Sequence, residues 1–249
     1  MAPLVTHLVI GERVFAQLPQ FDSTDCGPFL LGCVLVDVNN FSGMDRRRTH
    51  FVGRLEDDGA DAFNRSCANF LSQFDELMIR PWSDLTGAEQ AFIGGYLCHL
   101  AADEVWKQFS WNMLRALEIQ SLTDLPVPGG VIYTAFGVLS SKMHVDFPAV
   151  ASALNDVAIP HVMTHVPYDA FQEMWEIVEE YMLTGSTPGS YFEVLKREGR
   201  TDAEIQEIIR RHDVYWEDAM VLIHGLGGVE PFIQAAIRRS LEMMLNLWA

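Results

Sequence analysis

The stretch Gly94–Trp106, G-G-Y-L-C-H-L-A-A-D-E-V-W, predicts a buried helix that carries two polar side chains. His99 and Asp103 stand four residues apart, so their side chains share one face of a helix, one turn from each other. Most of the residues around them are apolar. Because burying a polar or charged group without a partner costs free energy, these two side chains need a ligand or a hydrogen-bond partner. A divalent cation would satisfy both, and the stretch therefore indicates a metal site.

Three further side chains are candidate metal ligands: His7, Asp37 and His50. Each also has an ordinary explanation, since a lone histidine in an apolar helix is more often a hydrogen-bonded core residue than a ligand. Asp37 could cap the turn that follows it, and His50 could be an exposed loop residue. Taken with His99 and Asp103, however, they supply the nitrogen and oxygen atoms that zinc binds at about 2.0–2.2 Å.

The composition excludes some classes of protein. The 249 residues carry a formal net charge of -17, which argues against a general binder of nucleic acid or of anionic membranes, since such proteins present a basic face. Hydrophobic residues make up 49% of the chain, enough for a substantial core. We therefore expect a globular protein that does not bind nucleic acid.

Cysteine usage and hydropathy indicate the compartment. The four cysteines have no C-x-x-C spacing, which suits free thiols in a reducing environment: Cys26, Cys33, Cys67 and Cys98. The first residues lack the pattern of a signal peptide, and no stretch approaches the ~20 apolar residues that span a bilayer. We expect a cytoplasmic protein without a stable membrane anchor, and the oligomeric state stays open.

The spacing of apolar residues predicts an all-α protein of about eight helices in a single domain, residues 1–249. The segment Phe29–Val38 is rich in Leu and Val, so a short strand is an alternative there. Residues 126–130 (P-V-P-G-G) form the clearest break and a possible subdivision of the domain. The predicted helices cover residues 4–18, 59–79, 86–118, 131–157, 168–184, 189–198, 202–224 and 229–248.

Three blocks, in this order, resemble the zinc-dependent phospholipase C family, whose fold is phospholipase C/P1 nuclease-like. They lie between Thr6 and Trp106, in under half of the chain. The first block is T-H-L-V-I-G-E-R-V, the second is F-L-L-G-C-V-L-V-D-V followed by R-R-R-T-H-F, and the third is G-Y-L-C-H-L-A-A-D-E-V-W.

This resemblance implies a two-zinc centre that cleaves a phosphoester bond with a metal-activated water. Asp37, His50, His99 and Asp103 would hold the first zinc, and His7 would help to hold the second, with Asp103 bridging both. Asp37 is the best candidate for the general base, since it would be both a ligand and a neighbour of that water.

The chain departs from the family at the third zinc site. Secreted members supply further histidines soon after the helix of the H-x-x-x-D pair, whereas Lys107–Met143 contains no histidine here. His144, His161, His165 and Asp169 are the remaining candidates for a rebuilt site, and the histidines are alternatively residues that line the substrate pocket. A proline on each side of His161 and His165 makes a full helix there doubtful, so we expect a loop or a helix entry.

Two arginines are candidates for phosphate binding, because guanidinium groups bind phosphate in a bidentate manner. These are Arg46 and Arg48; the alternative is a solvated loop that offsets an acidic surface. His212 and Asp213 form a second His-Asp pair, which we interpret as lying on the surface.

The sequence thus leaves three functions open. The first is a zinc-dependent hydrolase acting on a phospholipid-like or small phosphorylated substrate. The second places iron on the same His/Asp site and performs an oxidation or a rearrangement, since these ligands do not discriminate strongly between the two metals. The third is a helical interaction module without catalysis.

Overall fold

The computed structural model describes residues 2–52, 65–118, 125–143, 152, 161–184, 192, 195–196 and 199–248. Helices dominate these residues, and they contain no strand beyond an isolated antiparallel bridge between Met78 and Met163. The prediction of an all-α protein is confirmed.

The helices are numbered in chain order. They are α1 Leu4–Phe15, α2 Cys26–Leu35, α3 Asn39–Ser42, α4 Arg46–His50, α5 Ser66–Ser72, α6 Phe74–Leu77, α7 Gly87–Ala116, α8 Gly129–Ser141, α9 Tyr168–Thr184, α10 Asp202–Gly225 and α11 Glu230–Trp248. Three-residue 3-10 turns lie at Ser23–Asp25, Val36–Val38 and Trp82–Asp84.

Helix α7 is the central element, and a capping box in the sequence marks where it begins. The side chain of Thr86 accepts a hydrogen bond from the backbone N–H of Glu89, and the Glu89 carboxylate accepts one from the N–H of Thr86. This capping box satisfies two of the otherwise unpaired N–H groups of the first turn. Residues Ala91–Glu104 of α7 are buried without interruption, with α2 and α11 as the main packing partners.

Helices α2 and α7 touch backbone to backbone at two glycines. A Cβ atom on Gly32 would overlap the carbonyl oxygen of Phe92, and one on Gly95 would overlap that of Phe29. Only glycine permits this approach at either position. The contact places the end of α2, and the Val36–Val38 turn that follows it, beside the middle of α7.

Two predictions about the first half need correction. The strand alternative for Phe29–Val38 is wrong, because the segment is α2 followed by a 3-10 turn. Nearly every residue in it is buried, so the sequence lacks the polar face that would have shown a helical period. The helix predicted over 4–18 ends at Phe15.

The later helices agree in part with the prediction. The described part of 59–79 consists of two short helices, α5 and α6, which meet at Gln73. Of the helix predicted over 131–157, α8 covers Gly129–Ser141, and most of the remainder lies outside the described residues. The same holds for most of the helix predicted over 189–198.

Helix α8 connects the parts of the chain on either side of residues 126–130, because it packs against both α1 and α10. His212 of α10 takes part in this contact: its ring is buried and lies 2.9 Å from the Thr134 hydroxyl of α8. The interpretation of His212 as a surface residue is therefore wrong, whereas Asp213 is exposed. One hydrophobic core includes residues from both sides of 126–130.

None of the described helices reaches, by itself, the length and apolar character needed to cross a bilayer. Helices α10 and α11, taken over Asp202–Gly225 and Glu230–Leu245, meet that test of length and composition only as a pair, with a 60° bend between them.

The glycine contact between α2 and α7 predicts which glycines the fold requires. Replacing Gly32 or Gly95 by alanine should lower the free energy of unfolding by about 3 kcal/mol, because a carbonyl oxygen of the facing backbone occupies the space of the new Cβ. Urea denaturation measures this loss. The matched control is Gly129→Ala, where nothing lies within 4 Å of an added Cβ and stability should stay equal or rise slightly. Equal stability of all three variants would contradict the close contact.

Candidate metal centre

The structure brings together all five residues that the sequence identified as ligands. His7 lies in α1, Asp37 in the 3-10 turn after α2, His50 at the end of α4, and His99 and Asp103 in the middle of α7. All five are buried, none more than 3% exposed. Residues from four segments of the chain thus converge on one buried polar cluster, which we call the His/Asp cluster.

Local backbone features orient the two candidate ligands that lie in short elements, His50 and Asp37. Asp45 begins α4, since its side chain accepts a hydrogen bond from the backbone N–H of Arg47. Phe51 ends the helix in the left-handed region, with φ of 52°, so the helix stops directly after His50. Asp37 sits in a turn with both neighbours buried, and its side chain faces His50 instead of capping that turn.

The ligand atoms form two overlapping groups. Asp37, His50 and His99 make up one group, and His7, His99 and Asp103 the other; within each, the atoms lie within 4.8 Å of one another. The Nε2 atom of His50 is 3.2 Å from Oδ1 of Asp37, and that of His99 is 3.9 Å from the same oxygen. Ligand atoms bound at ~2.1 Å to one tetrahedral ion lie about 3.4 Å apart, so the first group has the size of a metal site.

The two carboxylate oxygens of Asp103 face different histidines of the cluster. Its Oδ1 atom lies 3.6 Å from Nε2 of His7, and its Oδ2 atom lies 3.7 Å from Nε2 of His50 and 4.0 Å from that of His99. The backbone N–H of Ala2 also donates to Oδ1, at 3.0 Å. A carboxylate placed in this way is suited to bridge two cations.

Hydrogen bonds orient the rings of two histidines. Nδ1–H of His99 donates to the backbone carbonyl of Cys33 at 2.8 Å, which leaves the Nε2 lone pair directed into the cluster. Nδ1 of His50 lies 2.8 Å from the hydroxyl of Thr49, whose oxygen is 3.1 Å from Oδ1 of Asn39. If the Thr49 hydroxyl donates to Asn39, it accepts a hydrogen bond from Nδ1–H of His50. The lone pair of the His50 ring is then on Nε2. Partners of this kind fix the tautomer of metal-binding histidines.

Several ring nitrogens of the cluster are buried without a hydrogen-bond partner among the described residues. They are both ring nitrogens of His7 and Nε2 of His99, and the two rings stack at 3.8 Å with an angle of 6° between their planes. A buried polar atom without a partner costs about 1–3 kcal/mol. A metal ion would bind one nitrogen of each ring, so the donor set fits a divalent cation.

The protonation states agree with metal binding. Burial lowers the pKa of His7 to about 3, helped by the nearby charge of His99, and burial lowers the pKa of His50 to about 4 despite its contact with Asp37. Burial opposes the ionisation of Asp37 and Asp103, but the electrostatic effect of the neighbouring histidines, together with Arg46 at Asp37, outweighs it and holds both pKa values well below the usual range. Neutral imidazoles and ionised carboxylates are the forms that bind metals.

Arg46 contacts both carboxylates of the cluster, which the sequence did not predict. Its Nη2 atom donates to Oδ2 of Asp103 at 2.6 Å, and its Nη1 atom lies 3.6 Å from Oδ1 of Asp37. The side chain is 30% exposed, so it reaches from the buried carboxylates to solvent. Arg46 is therefore part of the site, and not a residue of a solvated loop.

The other predicted binding residues lie outside the cluster. Arg48 is exposed and donates to the backbone carbonyl of His165 at 3.1 Å. The ring of His165 packs edge-on against Phe51, and its ring nitrogens are buried without a hydrogen-bond partner among the described residues. His161 is exposed, and the stretch from it to His165 is not helical, as expected. His144 lies outside the described residues.

A second buried charge lies beside the cluster. Glu104, the residue after Asp103, accepts a hydrogen bond from the backbone N–H of Cys67 and pairs with Arg239 of α11 at 2.9 Å. This residue joins α5 and α11 to α7. The sequence offered little to indicate it, since the partners are 37 and 135 residues away.

A cavity of about 640 Å³ is distant from this chemistry. It is formed by the loop after α1, the start of α7 and the end of α11, and it shares no residue with the His/Asp cluster. Its lining residues are Gln17, Leu18, Pro19, Gln20, Phe21, Gly87, Gln90, Leu241 and Leu245. We assign it no role in the chemistry of the cluster.

Comparisons with protein-family models, with curated proteins and with solved structures find no match to this chain. The fold and site define a helical protein with a buried His/Asp cluster that could hold a metal ion. The geometry of that cluster has to carry the functional assignment.

The cluster predicts which substitutions abolish metal binding. His99→Ala removes the histidine that belongs to both groups, and Asp103→Asn removes the charge that faces both, so each variant should lose most of the bound metal. Isothermal titration with zinc measures the loss.

The matched control for these variants is His224→Ala, which removes an exposed histidine at the end of α10. Its zinc binding should equal that of the unaltered protein. Unchanged zinc binding in both cluster variants would show that the metal, if any, binds elsewhere.

Proposed function

We propose that this protein is a metal-dependent hydrolase that cleaves a phosphoester bond, with zinc as the metal. The observation that carries the proposal is the position of Asp103, whose two oxygens face different histidines within a cluster of three histidines and two aspartates. Because a carboxylate can bind a cation through each oxygen, Asp103 could bridge two cations, one held with Asp37, His50 and His99 and the other with His7. Paired metal ions are the recurrent solution for phosphoester cleavage, since they stabilise the attacking and the leaving oxygen.

The donor atoms support zinc, and the same atoms support the reaction. Imidazole and carboxylate are ordinary zinc ligands, and bound zinc supplies Lewis acidity and lowers the pKa of a bound water to about 7. The two ionised carboxylates would hold the cations, while the low pKa values of His7 and His50 keep both rings neutral for binding. The resemblance of Thr6–Trp106 to zinc-dependent phospholipase C supports the same reaction class.

Asp37 is the residue that we propose as the general base. It is ionised and buried, and its Oδ1 atom faces His50 and His99, so it lies where a proton could be accepted beside the ligands. Its low pKa makes it a weak base, so most of the activation of water would have to come from the metal. The substrate would be a phospholipid-like or small phosphorylated molecule.

Iron on the same residues is a second candidate, because nitrogen and oxygen ligands do not choose zinc strongly over iron. An enzyme of this kind would perform an oxidation or a rearrangement. Loading the protein with zinc or with ferrous iron separates the two functions. If the protein is a zinc hydrolase, the zinc form should cleave phosphoesters and the iron form should consume no oxygen with the same substrates. Oxygen consumption by the iron form, without phosphoester cleavage by the zinc form, would favour the second candidate.

The proposed function predicts the effect of changing Asp37. Asp37→Asn should reduce hydrolysis of a phosphodiester such as bis(p-nitrophenyl) phosphate by about 10²–10⁴-fold, because it removes a ligand charge and the proposed base. The rate is to be measured at saturating zinc, with bound zinc determined in the same samples.

The control for this variant is Asp213→Asn, since Asp213 is an exposed aspartate of α10. It should retain the full rate. A zinc-loaded protein without activity on phosphodiesters, phosphomonoesters and phospholipids would contradict the proposed function, and an unchanged rate in Asp37→Asn would contradict the role of Asp37.

A further inference from the structure

Arg46 differs from the rest of the cluster in its access to solvent. The side chains of the five candidate ligands are at most 4% exposed, whereas that of Arg46 is 30% exposed. Its guanidinium lies against the carboxylates from the solvent side.

The guanidinium contacts the same oxygen atoms that face the histidines. Its Nη2 atom donates to Oδ2 of Asp103, the oxygen nearest to His50, and its Nη1 atom faces Oδ1 of Asp37, which is also the oxygen nearest to His50. A metal ion bound at ~2.0–2.2 Å to these oxygens would stand next to a second positive charge.

We propose that the Arg46 guanidinium is a counter-ion of the two carboxylates and that a divalent metal ion displaces it. This guanidinium neutralises Asp37 and Asp103 until a divalent metal ion binds their carboxylate oxygens. The guanidinium then moves towards solvent and binds the anionic group of the substrate. This inference rests on the metal site and the phosphoester substrate proposed above.

The position of Arg46 permits the movement. It is the first residue of α4, a helix of only five residues, and Asp45 caps that helix through the backbone N–H of Arg47 rather than through Arg46. The side chain has a long flexible stem and an exposed edge. Its displacement therefore does not require the helix to unfold.

A second cation, Lys107, lies on the same helix as Asp103. Lys107 follows Asp103 by one turn of α7 and is partly buried. Burial lowers the pKa of Lys107, and the charge of Asp103 opposes this shift. The Arg46 guanidinium beside the cluster favours an anionic ligand, and a phosphoryl group is an anion that a guanidinium binds in a bidentate manner.

The first experiment compares zinc dissociation constants for the unaltered protein, Arg46→Ala and Arg47→Ala, by competition with a chromophoric chelator. Arg46→Ala should bind zinc about tenfold more tightly or better, since no charge-assisted hydrogen bond has to be broken. Arg47 is exposed and belongs to the same helix, so its variant controls for the loss of one positive charge and should bind zinc as the unaltered protein does.

Folding of the variants is measured in parallel. Without metal, Arg46→Ala should unfold at a lower urea concentration than Arg47→Ala, because two buried carboxylates lose their counter-charge, and zinc should remove this difference. If Arg46→Ala does not fold without metal, Arg46→Gln keeps hydrogen-bond donors without the charge and should also bind zinc more tightly. Zinc affinity that is equal or weaker in both variants would overturn the displacement of Arg46 by the metal ion.

The second experiment titrates inorganic phosphate into the zinc-loaded proteins by calorimetry. Phosphate should bind the unaltered protein and Arg47→Ala with similar affinity, and binding should weaken about tenfold or more in Arg46→Ala. Equal phosphate affinity in all three would overturn the role of Arg46 in anion binding. If the unaltered protein binds no zinc at all, the proposed metal site itself fails, and that outcome is distinct from failure of the displacement.

Discussion

The close contact between α2 and α7 is the constraint on which the site depends. At Gly32 and Gly95 the two backbones meet without an intervening side chain, so the Val36–Val38 turn is placed directly beside His99. The same approach brings the carbonyl of Cys33 to within hydrogen-bond distance of His99 and fixes the orientation of that ring. Two positions without a Cβ thus set the position of Asp37 relative to the ligands of α7.

Charge is the second organising property of the site. Two ionised carboxylates and three histidines are buried together, and such a group is stable only with compensating partners. Arg46 provides part of this compensation, and the backbone N–H of Ala2 provides a further hydrogen bond to Asp103. The histidine nitrogens that remain without a described partner are the atoms for which a metal ion offers the most direct explanation.

The sequence predicted most of the long helices, and the five residues that it proposed as ligands come together in the structure. A capping box and a four-residue spacing between His99 and Asp103 predict helix α7, and both are local features of the sequence. The strand alternative at Phe29–Val38 arose because a segment buried on all sides has no polar face. Arg46 was a candidate for phosphate binding, but its contact with Asp103 was not predicted, because the two residues lie 57 positions apart in the chain. His212 was placed on the surface because its partner, Thr134, lies 78 residues away. The phosphoester substrate and the zinc ions stay predictions.

The central claim is that the five converging ligands hold metal, and metal content tests it most directly. Elemental analysis of protein purified without added metal or chelator should give about two zinc ions per chain, as paired sites of this kind hold. The same analysis of Asp103→Asn should give substantially less. A protein that contains no metal, and that takes up none on addition of zinc or iron, would contradict the account.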